Sequence, residues 1–140
     1  MIENSSKRIL VVDDDENVRK LSEHVLQSAG YRTVSSESAE SAIQHLRKSL
    51  QEPQDRFAVA IIDLMLPGDH GDELVTRLKQ ADPQIAAILI TGQKEEGIAL
   101  ENYQHYGFED ALLKPFPMDQ LLQAVSRVIK KPSRKMDVQV

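Results

Sequence analysis

The sequence predicts an α/β fold built on one doubly wound, five-stranded parallel sheet. Short apolar runs alternate along the chain with longer segments whose apolar residues recur at helical spacing. Most of the runs are apolar throughout, which is typical of strands that are covered on both faces. Each intervening segment is long enough for a crossover between parallel neighbours, so the pattern predicts a (βα)5 chain.

Five strands are expected at the apolar runs. The second run alternates between apolar and polar residues, which suits the edge of a sheet, whereas the others are nearly all apolar. In chain order the runs are ILVV at 9–12, YRTV at 31–34, FAVAII at 57–62, AAILI at 86–90 and ALL at 111–113.

Helices are expected between and after these strands. Gly30 follows the first apolar stripe, where a left-handed residue commonly ends a helix, and Pro83 lies beyond the third. Residues 94–106 should supply the fourth crossover, although they have no clean stripe and Gly97 lowers their helix propensity. The other stripes are Val18, Leu21, Val25 and Ala29; Ala39, Ala42, Ile43, Leu46 and Leu50; Gly71, Leu74, Val75 and Leu78; and Leu121, Leu122, Val125, Val128 and Ile129.

The expected topology brings the ends of the first and third strands together. Right-handed crossovers place helices on both faces of the sheet, and the common order for five strands is 2-1-3-4-5, as in flavodoxin-like folds. The winding then reverses between strands 1 and 3, and ligands bind at the carboxyl ends of the strands there. Residues that follow these strands are therefore the candidates for function.

Composition and charge exclude several classes of protein. The 140 residues fit one domain, expected at 1–131, with a polar tail or the start of a linker at 132–140. The chain has no cysteine for a disulfide or a thiolate site, and no apolar run approaches the ~20 residues of a membrane span. Its net charge of −5 argues against nucleic-acid binding. A cytoplasmic protein without membrane contact is expected.

Acidic residues stand at the ends of the two central strands. Asp13, Asp14 and Asp15 follow the first strand, and Asp63 ends the third. Neighbouring strands lie ~4.8 Å apart, so these carboxylates should crowd one crevice. Two unit charges at 4 Å repel by roughly 4 kcal/mol at an effective dielectric near 20, which a shared proton or a bound cation must offset. Oxygen ligands select a hard cation, and a site with few protein ligands favours Mg²⁺ over Ca²⁺.

Structural roles compete with functional ones for the acidic residues. Asp15, Glu16 or Asn17 is expected to cap the first helix, where acidic side chains complement the helix dipole. Capping does not explain Asp63, a single acid that ends an apolar central strand, where an unpartnered charge is costly. The functional interpretation is therefore preferred for Asp63.

Two further strand ends add a hydroxyl and a cation. Thr91 follows the fourth run and Lys114 the fifth. Taken singly, the threonine could be a helix cap and the lysine a solvated surface residue. With the carboxylates they suit phosphoryl chemistry, in which a carboxylate acts as nucleophile, a metal and a lysine neutralise charge, and a hydroxyl holds one oxygen.

Four motifs together resemble the receiver domain of the response regulators of two-component signalling. VVDDDEN is similar to the family's acid cluster after strand 1, and DLMLPGDHG to its phosphorylation loop. ITG resembles the switch residue after strand 4, and LLKPF the lysine and proline after strand 5. Each motif is weak alone, but the four stand in the family's order over residues 7–131.

The resemblance implies a phosphoprotein that uses Mg²⁺. Asp63 would accept a phosphoryl group from a phosphohistidine of a sensor histidine kinase or a phosphotransfer protein. Asp14 would bind the ion directly and Asp13 through water, with Asp63 and the main-chain carbonyl of Met65 as further ligands.

The other matching residues would act on the phosphoryl group itself. Lys114, before a cis bond to Pro115, would pair with the phosphoryl oxygens, and Thr91 would move to hydrogen-bond them. The result is a switch rather than a turnover enzyme, with an unidentified output partner or fused domain. A homodimer is compatible with the resemblance.

The sequence departs from the family pattern three positions before the lysine. Ala111 stands where the family usually has Tyr or Phe, so the usual coupling of threonine to an aromatic rotamer cannot operate in its standard form. Tyr103, Tyr106 or Phe108 could take that part. His70 replaces a residue that is often polar or acidic, and it is expected to be a solvated loop histidine.

Two other functions remain open at this point. Asp13 and Asp15 form an acid-x-acid pair after strand 1, as in a Mg²⁺-dependent phosphohydrolase of the haloacid dehalogenase type, in which Asp13 would be the nucleophile. Such an enzyme normally needs a larger chain with a cap domain. A receiver-like interaction module that no longer accepts phosphate is the third possibility, against which Asp63, Thr91 and Lys114 argue.

Overall fold

The fold is a five-stranded parallel sheet with the predicted strand order. The structure is a computed structural model that describes residues 7–66, 70–92 and 102–130. Within them the strands lie in the order β2-β1-β3-β4-β5, so the alternating second run forms an edge. The strands are β1 (Arg8–Val12), β2 (Arg32–Ser36), β3 (Phe57–Asp63), β4 (Ala86–Thr91) and β5 (Asp110–Leu113).

Helices connect these strands where the apolar stripes predicted them. The α-helices of the described residues are α1 (Glu16–Ser28), α2 (Ala39–Ser49), α3 (Gly71–Ala81) and α4 (Met118–Lys130). Of the helix predicted at 94–106, residues 94–101 lie outside the described part, and Tyr103–Tyr106 forms a 3-10 helix. The predicted tail at 132–140 also lies outside it.

The helices cover both faces of the sheet, as a doubly wound fold requires. One core cluster joins residues of β1, β3 and β4 to α2 and α3, and the other joins the alternate residues of the same strands to α1 and α4. Leu10 and Ile9 illustrate this, because they are adjacent, both fully buried, and belong to opposite faces. No helix among the described residues is long and apolar enough to cross a bilayer.

Helix α1 corrects one sequence prediction. Leu21 was expected on the stripe that faces the core, but its side chain is 49% exposed. The buried residues of α1 are Ser22 and Leu26, four positions apart on one face. A buried serine gives no hydrophobic signal in the sequence. The apolar pattern therefore predicted a buried face through Leu21, one residue away from the face through Ser22 that is buried in the structure.

The ends of α1 match the sequence prediction. Asp15 is the N-cap, because its side chain accepts hydrogen bonds from the backbone N–H groups of Asn17 and Val18. After the helix, Gly30 adopts a φ of 100°, the left-handed conformation in which glycine has no steric cost. These two residues fix where the chain leaves β1 and where it returns to β2.

Candidate functional site

Three carboxylates meet at the carboxyl ends of the two central strands. Asp13 directly follows β1 and Asp63 ends β3, and the register pairs Val12 with Ile62 just before them. One oxygen of each of Asp13, Asp14 and Asp63 lies within 4.8 Å of those of the other two. Asp13 and Asp63 are 3% and 7% exposed, whereas Asp14 is exposed. The crevice predicted from the topology therefore exists and contains these three acids.

A lysine from the far strand of the sheet reaches this cluster. Lys114 follows β5, and its Nζ lies 3.4 Å from Oδ2 of Asp63 and 3.8 Å from Oδ2 of Asp13. Its backbone N–H donates to the carbonyl of Thr91 at 2.8 Å, which ties the end of β5 to β4. The peptide bond between Lys114 and Pro115 is cis, as the resemblance implied. One ammonium group thus faces two buried carboxylates.

The predicted hydroxyl also lies at this edge of the sheet. Thr91 is the last residue of β4 and is 2% exposed, and β4 pairs with β3 so that Ile90 faces Asp63 in the register. Its Oγ1 donates to the carbonyl of Gly92 at 3.0 Å. The hydroxyl is therefore buried one position beyond the residue that pairs with Asp63.

The charge of Asp63 is only partly compensated by its surroundings. Burial, and next the neighbouring Asp13 carboxylate, raise the pKa of Asp63 to about 6, although Lys114 acts to lower it. The N–H of Met65 donates to Oδ1 of Asp63 at 3.3 Å and also favours the ionised form. Excess negative charge in this crevice favours the binding of a cation.

The donor set fits a hard divalent cation. The grouped ligand atoms are all carboxylate oxygens, without a histidine or cysteine among the grouped ligands of the described residues. Such ligands suit Mg²⁺, which is commonly held by one or two carboxylates and completes its shell with water and phosphate oxygens. The residues present therefore fit the ion that the sequence suggested.

The loop after β3 holds Asp63 in place through close backbone contacts. Leu64 donates its N–H to the carbonyl of Ile90 at 2.9 Å and accepts from the N–H of Gly71 at 2.8 Å. A Cβ on Gly71 would lie 3.0 Å from the carbonyl oxygen of Asp63 and 3.0 Å from Cα of Leu64. A side chain here would be tighter than most real Cβ contacts and would have to displace backbone atoms, so glycine lets the start of α3 pack directly against the end of β3.

Asp15 does not join the acidic cluster. Its Oδ1 accepts from the N–H of Asn17 at 2.9 Å, and its own N–H donates to Oδ1 of Asp13 at 2.9 Å. Asp15 thus caps α1 and orients Asp13, which is the structural role left open by the sequence. A phosphohydrolase with Asp13 and Asp15 as its catalytic pair would need both side chains in the crevice, and the geometry disfavours it.

His70 has a definite structural place that the sequence did not indicate. It is exposed, as expected, but it is the N-cap residue of α3 rather than a free loop residue. The side chain of Glu73 accepts from the backbone N–H of His70 at 3.2 Å. Residue 70 therefore ends the loop and begins the helix.

The aromatic residues that could replace the ring absent at Ala111 differ in burial. Ala111 is half-buried and packs against the core cluster on the α2 and α3 face, as do the half-buried Tyr103 and Tyr106. Phe108 is 1% exposed and belongs to that core itself. Of the three candidates, the two tyrosines are therefore the residues that remain partly exposed.

Sequence reasoning missed one residue beside the cluster. Nη1 of Arg19 donates to the backbone carbonyl of Asp13 at 2.8 Å, and the side chain is only 15% exposed. An arginine in the first turn of an amphipathic helix gives no signal of such a contact. Only the fold reveals that it reaches back to the end of β1.

Fold and site together define a receiver domain of two-component signalling. A family model described as the response regulator receiver domain matches residues 9–126, and the chain belongs to this family. The predicted fold class is confirmed by the sheet order and by structural neighbours of the receiver type.

Two curated relatives and one solved structure illustrate the similarity. The chain is 30% identical over 128 residues to the C4-dicarboxylate transport transcriptional regulatory protein DctD of Rhizobium meliloti, covering 91% of this chain and 26% of that protein. It is 30% identical over 121 residues to the DNA-binding transcriptional regulator NtrC of Escherichia coli, covering 86% and 24%. A response regulator receiver domain protein (CheY-like) of Methanospirillum hungatei is 25% identical with a TM-score of 0.75, covering 88% and 93%. This chain therefore spans about a quarter of its curated relatives.

Proposed function

We propose that this chain accepts a phosphoryl group on Asp63 from a phosphohistidine of a sensor kinase or phosphotransfer protein, in a reaction that requires Mg²⁺. The observation that carries the proposal is the buried Asp63 carboxylate, with Lys114 Nζ at 3.4 Å and two further carboxylates beside it. Among the described residues this is the group of acids placed to hold a metal.

Metal binding is assigned to the three carboxylates of the cluster. Asp14 is the direct ligand and Asp13 acts through water, with Asp63 and the carbonyl of Met65 completing the protein's share. When bound, the ion supplies positive charge against the oxygens of the incoming phosphoryl group. The raised pKa of Asp63 supports this assignment, because burial first and the Asp13 carboxylate second disfavour its ionised form, and Lys114 does not offset them.

The transfer itself needs only one bond to form and one to break. An oxygen of the ionised Asp63 attacks phosphorus, the bond between phosphorus and the histidine nitrogen breaks, and that nitrogen takes up a proton from solvent. Lys114 neutralises charge on the transferring oxygens, and the Thr91 hydroxyl hydrogen-bonds one of them. The product is an acyl phosphate on residue 63, which water can later hydrolyse.

The proposed consequence is a signalling switch rather than a turnover enzyme. The acyl phosphate carries close to two negative charges in place of the single charge of the carboxylate, so the ends of β3 and β4 gain about one negative charge. Because the curated relatives are named as transcriptional regulators and extend well beyond the matched region, the output is assigned to a further domain or a partner. Residues 132–140 are then the start of a linker.

Phosphoryl incorporation from a small donor tests the proposal. The 140-residue chain, incubated with acetyl phosphate and Mg²⁺, should gain one phosphoryl group by intact-mass measurement, and none when the metal is chelated. Asp63→Asn should abolish the gain, and Asp13→Asn should reduce it strongly. Asp15→Asn is the matched control, since it changes an acid of the same loop but preserves a capping side chain.

The alternatives give different results in this experiment. Loss of incorporation with Asp13→Asn but retention with Asp63→Asn would support a phosphohydrolase that uses Asp13 as nucleophile. Absence of any incorporation in the unsubstituted chain would support an interaction module that has lost phosphate chemistry.

A further inference from the structure

The geometry points to Arg19 as a positioning residue that sets the Mg²⁺ affinity of the acidic cluster, an inference that rests on the function proposed above. Arg19 lies in the first turn of α1, and its Nη1 donates to the backbone carbonyl of Asp13 at 2.8 Å. The side chain is 15% exposed, so the contact is made largely out of solvent. Hydrogen bonds from a charged donor are stronger than those between neutral groups.

This contact fixes the peptide unit that joins Asp13 to Asp14. A peptide unit is planar, so holding the carbonyl of Asp13 also sets the direction of the Asp14 nitrogen. The other side of Asp13 is held separately, because its N–H donates to the carbonyl of Ser36 at 3.1 Å. Its Oδ1 accepts from the N–H of Asp15 at 2.9 Å. Arg19 supplies the remaining restraint.

Asp14 depends on this restraint more than its two neighbours do. It is exposed, and within the described residues no hydrogen bond or ion pair is made by its side chain. By contrast, the Asp63 carboxylate is held by the N–H of Met65 and by Lys114. The backbone therefore decides whether an oxygen of Asp14 stays within 4.8 Å of the other two acids.

Charge and position act in opposite directions at Arg19. A guanidinium close to a cation site weakens metal binding by repulsion. However, this guanidinium bonds to the carbonyl of Asp13, and its carboxylate neighbour is Glu37 at 4.0 Å, outside the cluster. It therefore does not compete with the ion for its ligands as Lys114 does. Removing Arg19 should therefore tighten Mg²⁺ binding if only charge matters, and weaken it if position matters.

The Mg²⁺ dissociation constant, measured by isothermal titration calorimetry on the full 140-residue chain, decides between these effects. Arg19→Met should weaken Mg²⁺ binding about 10- to 100-fold, the usual effect of losing a residue that orients a metal ligand. Lys20→Met is the matched control, because it removes the same charge from the neighbouring residue. Among the contacts described for Lys20, its side chain pairs only with Glu16, at 2.9 Å. That control should bind as tightly as the unsubstituted chain or slightly more tightly.

A second variant and a second readout separate positioning from stability. Arg19→Lys keeps the charge and can offer one donor, so it should recover part of the lost affinity, and it serves alone if Arg19→Met does not fold. Thermal unfolding without Mg²⁺ reports the structural cost independently. Unchanged or tighter Mg²⁺ binding by the folded Arg19 variants would overturn the inference, whatever their melting temperature. Failure of the unsubstituted chain to bind Mg²⁺ would refute the proposed function, and the inference with it.

Discussion

Asp63 is a carboxylate in surroundings that disfavour its charge. Burial, and next the Asp13 carboxylate, raise its pKa to about 6 in the metal-free protein. A group whose pKa is higher in the folded than in the unfolded chain costs stability when it is ionised. The cost is absent below about pH 4, grows as the pH rises toward 6, and is constant above that.

Asp63→Asn should therefore stabilise the metal-free protein at pH 7.5. The amide keeps the shape of the side chain and removes its charge. The free energy of unfolding should therefore rise by about 1 to 3 kcal/mol, the cost that corresponds to the raised pKa of Asp63. Thermal or urea unfolding in the presence of a chelator measures this, and the gain should vanish near pH 4. Asp119→Asn, which changes an exposed acid in the first turn of α4, is the control and should not stabilise. A destabilised Asp63→Asn at pH 7.5 would contradict the assigned environment.

The residues of the site were predictable to different degrees. Asp13, Asp63, Thr91 and Lys114 follow from strand ends alone, because parallel strands bring their carboxyl ends to one edge. Arg19 could not be predicted, since its partner is a backbone carbonyl and backbone groups leave no trace in the sequence.

Among the secondary-structure elements, the start of α3 packs closely against the end of β3, where the backbones of Gly71, Asp63 and Leu64 approach each other. The missing side chain of Gly71 lets the helix start lie against the backbone of Asp63 and Leu64. Because both neighbours are backbone atoms, neither can move aside cheaply. The geometry of Asp63, the proposed phosphoacceptor, thus depends on the first residue of α3.

Gly71→Ala should damage both stability and phosphoryl transfer. A Cβ at 3.0 Å from two backbone atoms forces the helix away, with a cost of roughly 1 to 3 kcal/mol as for other overpacked sites. The same shift should slow phosphoryl incorporation by the folded fraction. Thr76→Ala, at an exposed position of α3, is the control and should leave the rate unchanged. If Gly71→Ala kept the stability and the phosphoryl incorporation rate of the unsubstituted chain, the contact between the start of α3 and the end of β3 would be less close than described.

Helix α1 gives a separate test of the packing. Leu26 is fully buried, whereas Leu21 on the same helix is 49% exposed. Leu26→Ala should lower the free energy of unfolding by about 2 to 5 kcal/mol. Leu21→Ala should change it by no more than about 0.5 kcal/mol. Urea denaturation compares the two. Equal costs would favour the apolar stripe predicted from the sequence over the observed face.

Most elements were predictable because their patterns are unambiguous. Runs such as ILVV and AAILI are too short for a helix and too apolar for a surface strand, and both became buried strands. The buried face of α1 could not be predicted, because Ser22 fills a buried position that a hydrophobic pattern cannot mark.

For the whole molecule, the proposed phosphorylation would by itself be a modest driving force for a conformational change. Moving a two-state element from 1:99 to 99:1 requires about 5.5 kcal/mol of differential stabilisation. One new charge-assisted hydrogen bond contributes about 1.5 to 3 kcal/mol. A partial shift that partner binding completes is therefore expected.

The proposed switch would need a route from the site to a partner surface other than the aromatic rotamer that the family usually uses. Ala111 has no ring to move, and Phe108 is locked in the core. Among those described, Tyr103 and Tyr106 are the aromatic residues near Ala111 that remain partly exposed.

Chemical trapping of the acyl phosphate identifies the residue that accepts the phosphoryl group. The chain is incubated with acetyl phosphate and Mg²⁺, reduced with borohydride, digested and mapped by mass spectrometry. Reduction converts a phosphorylated aspartate to homoserine, so we expect that conversion at position 63 and at no other aspartate. Conversion at Asp13, or at none of the aspartates although Mg²⁺ is bound, would contradict the proposed role of Asp63.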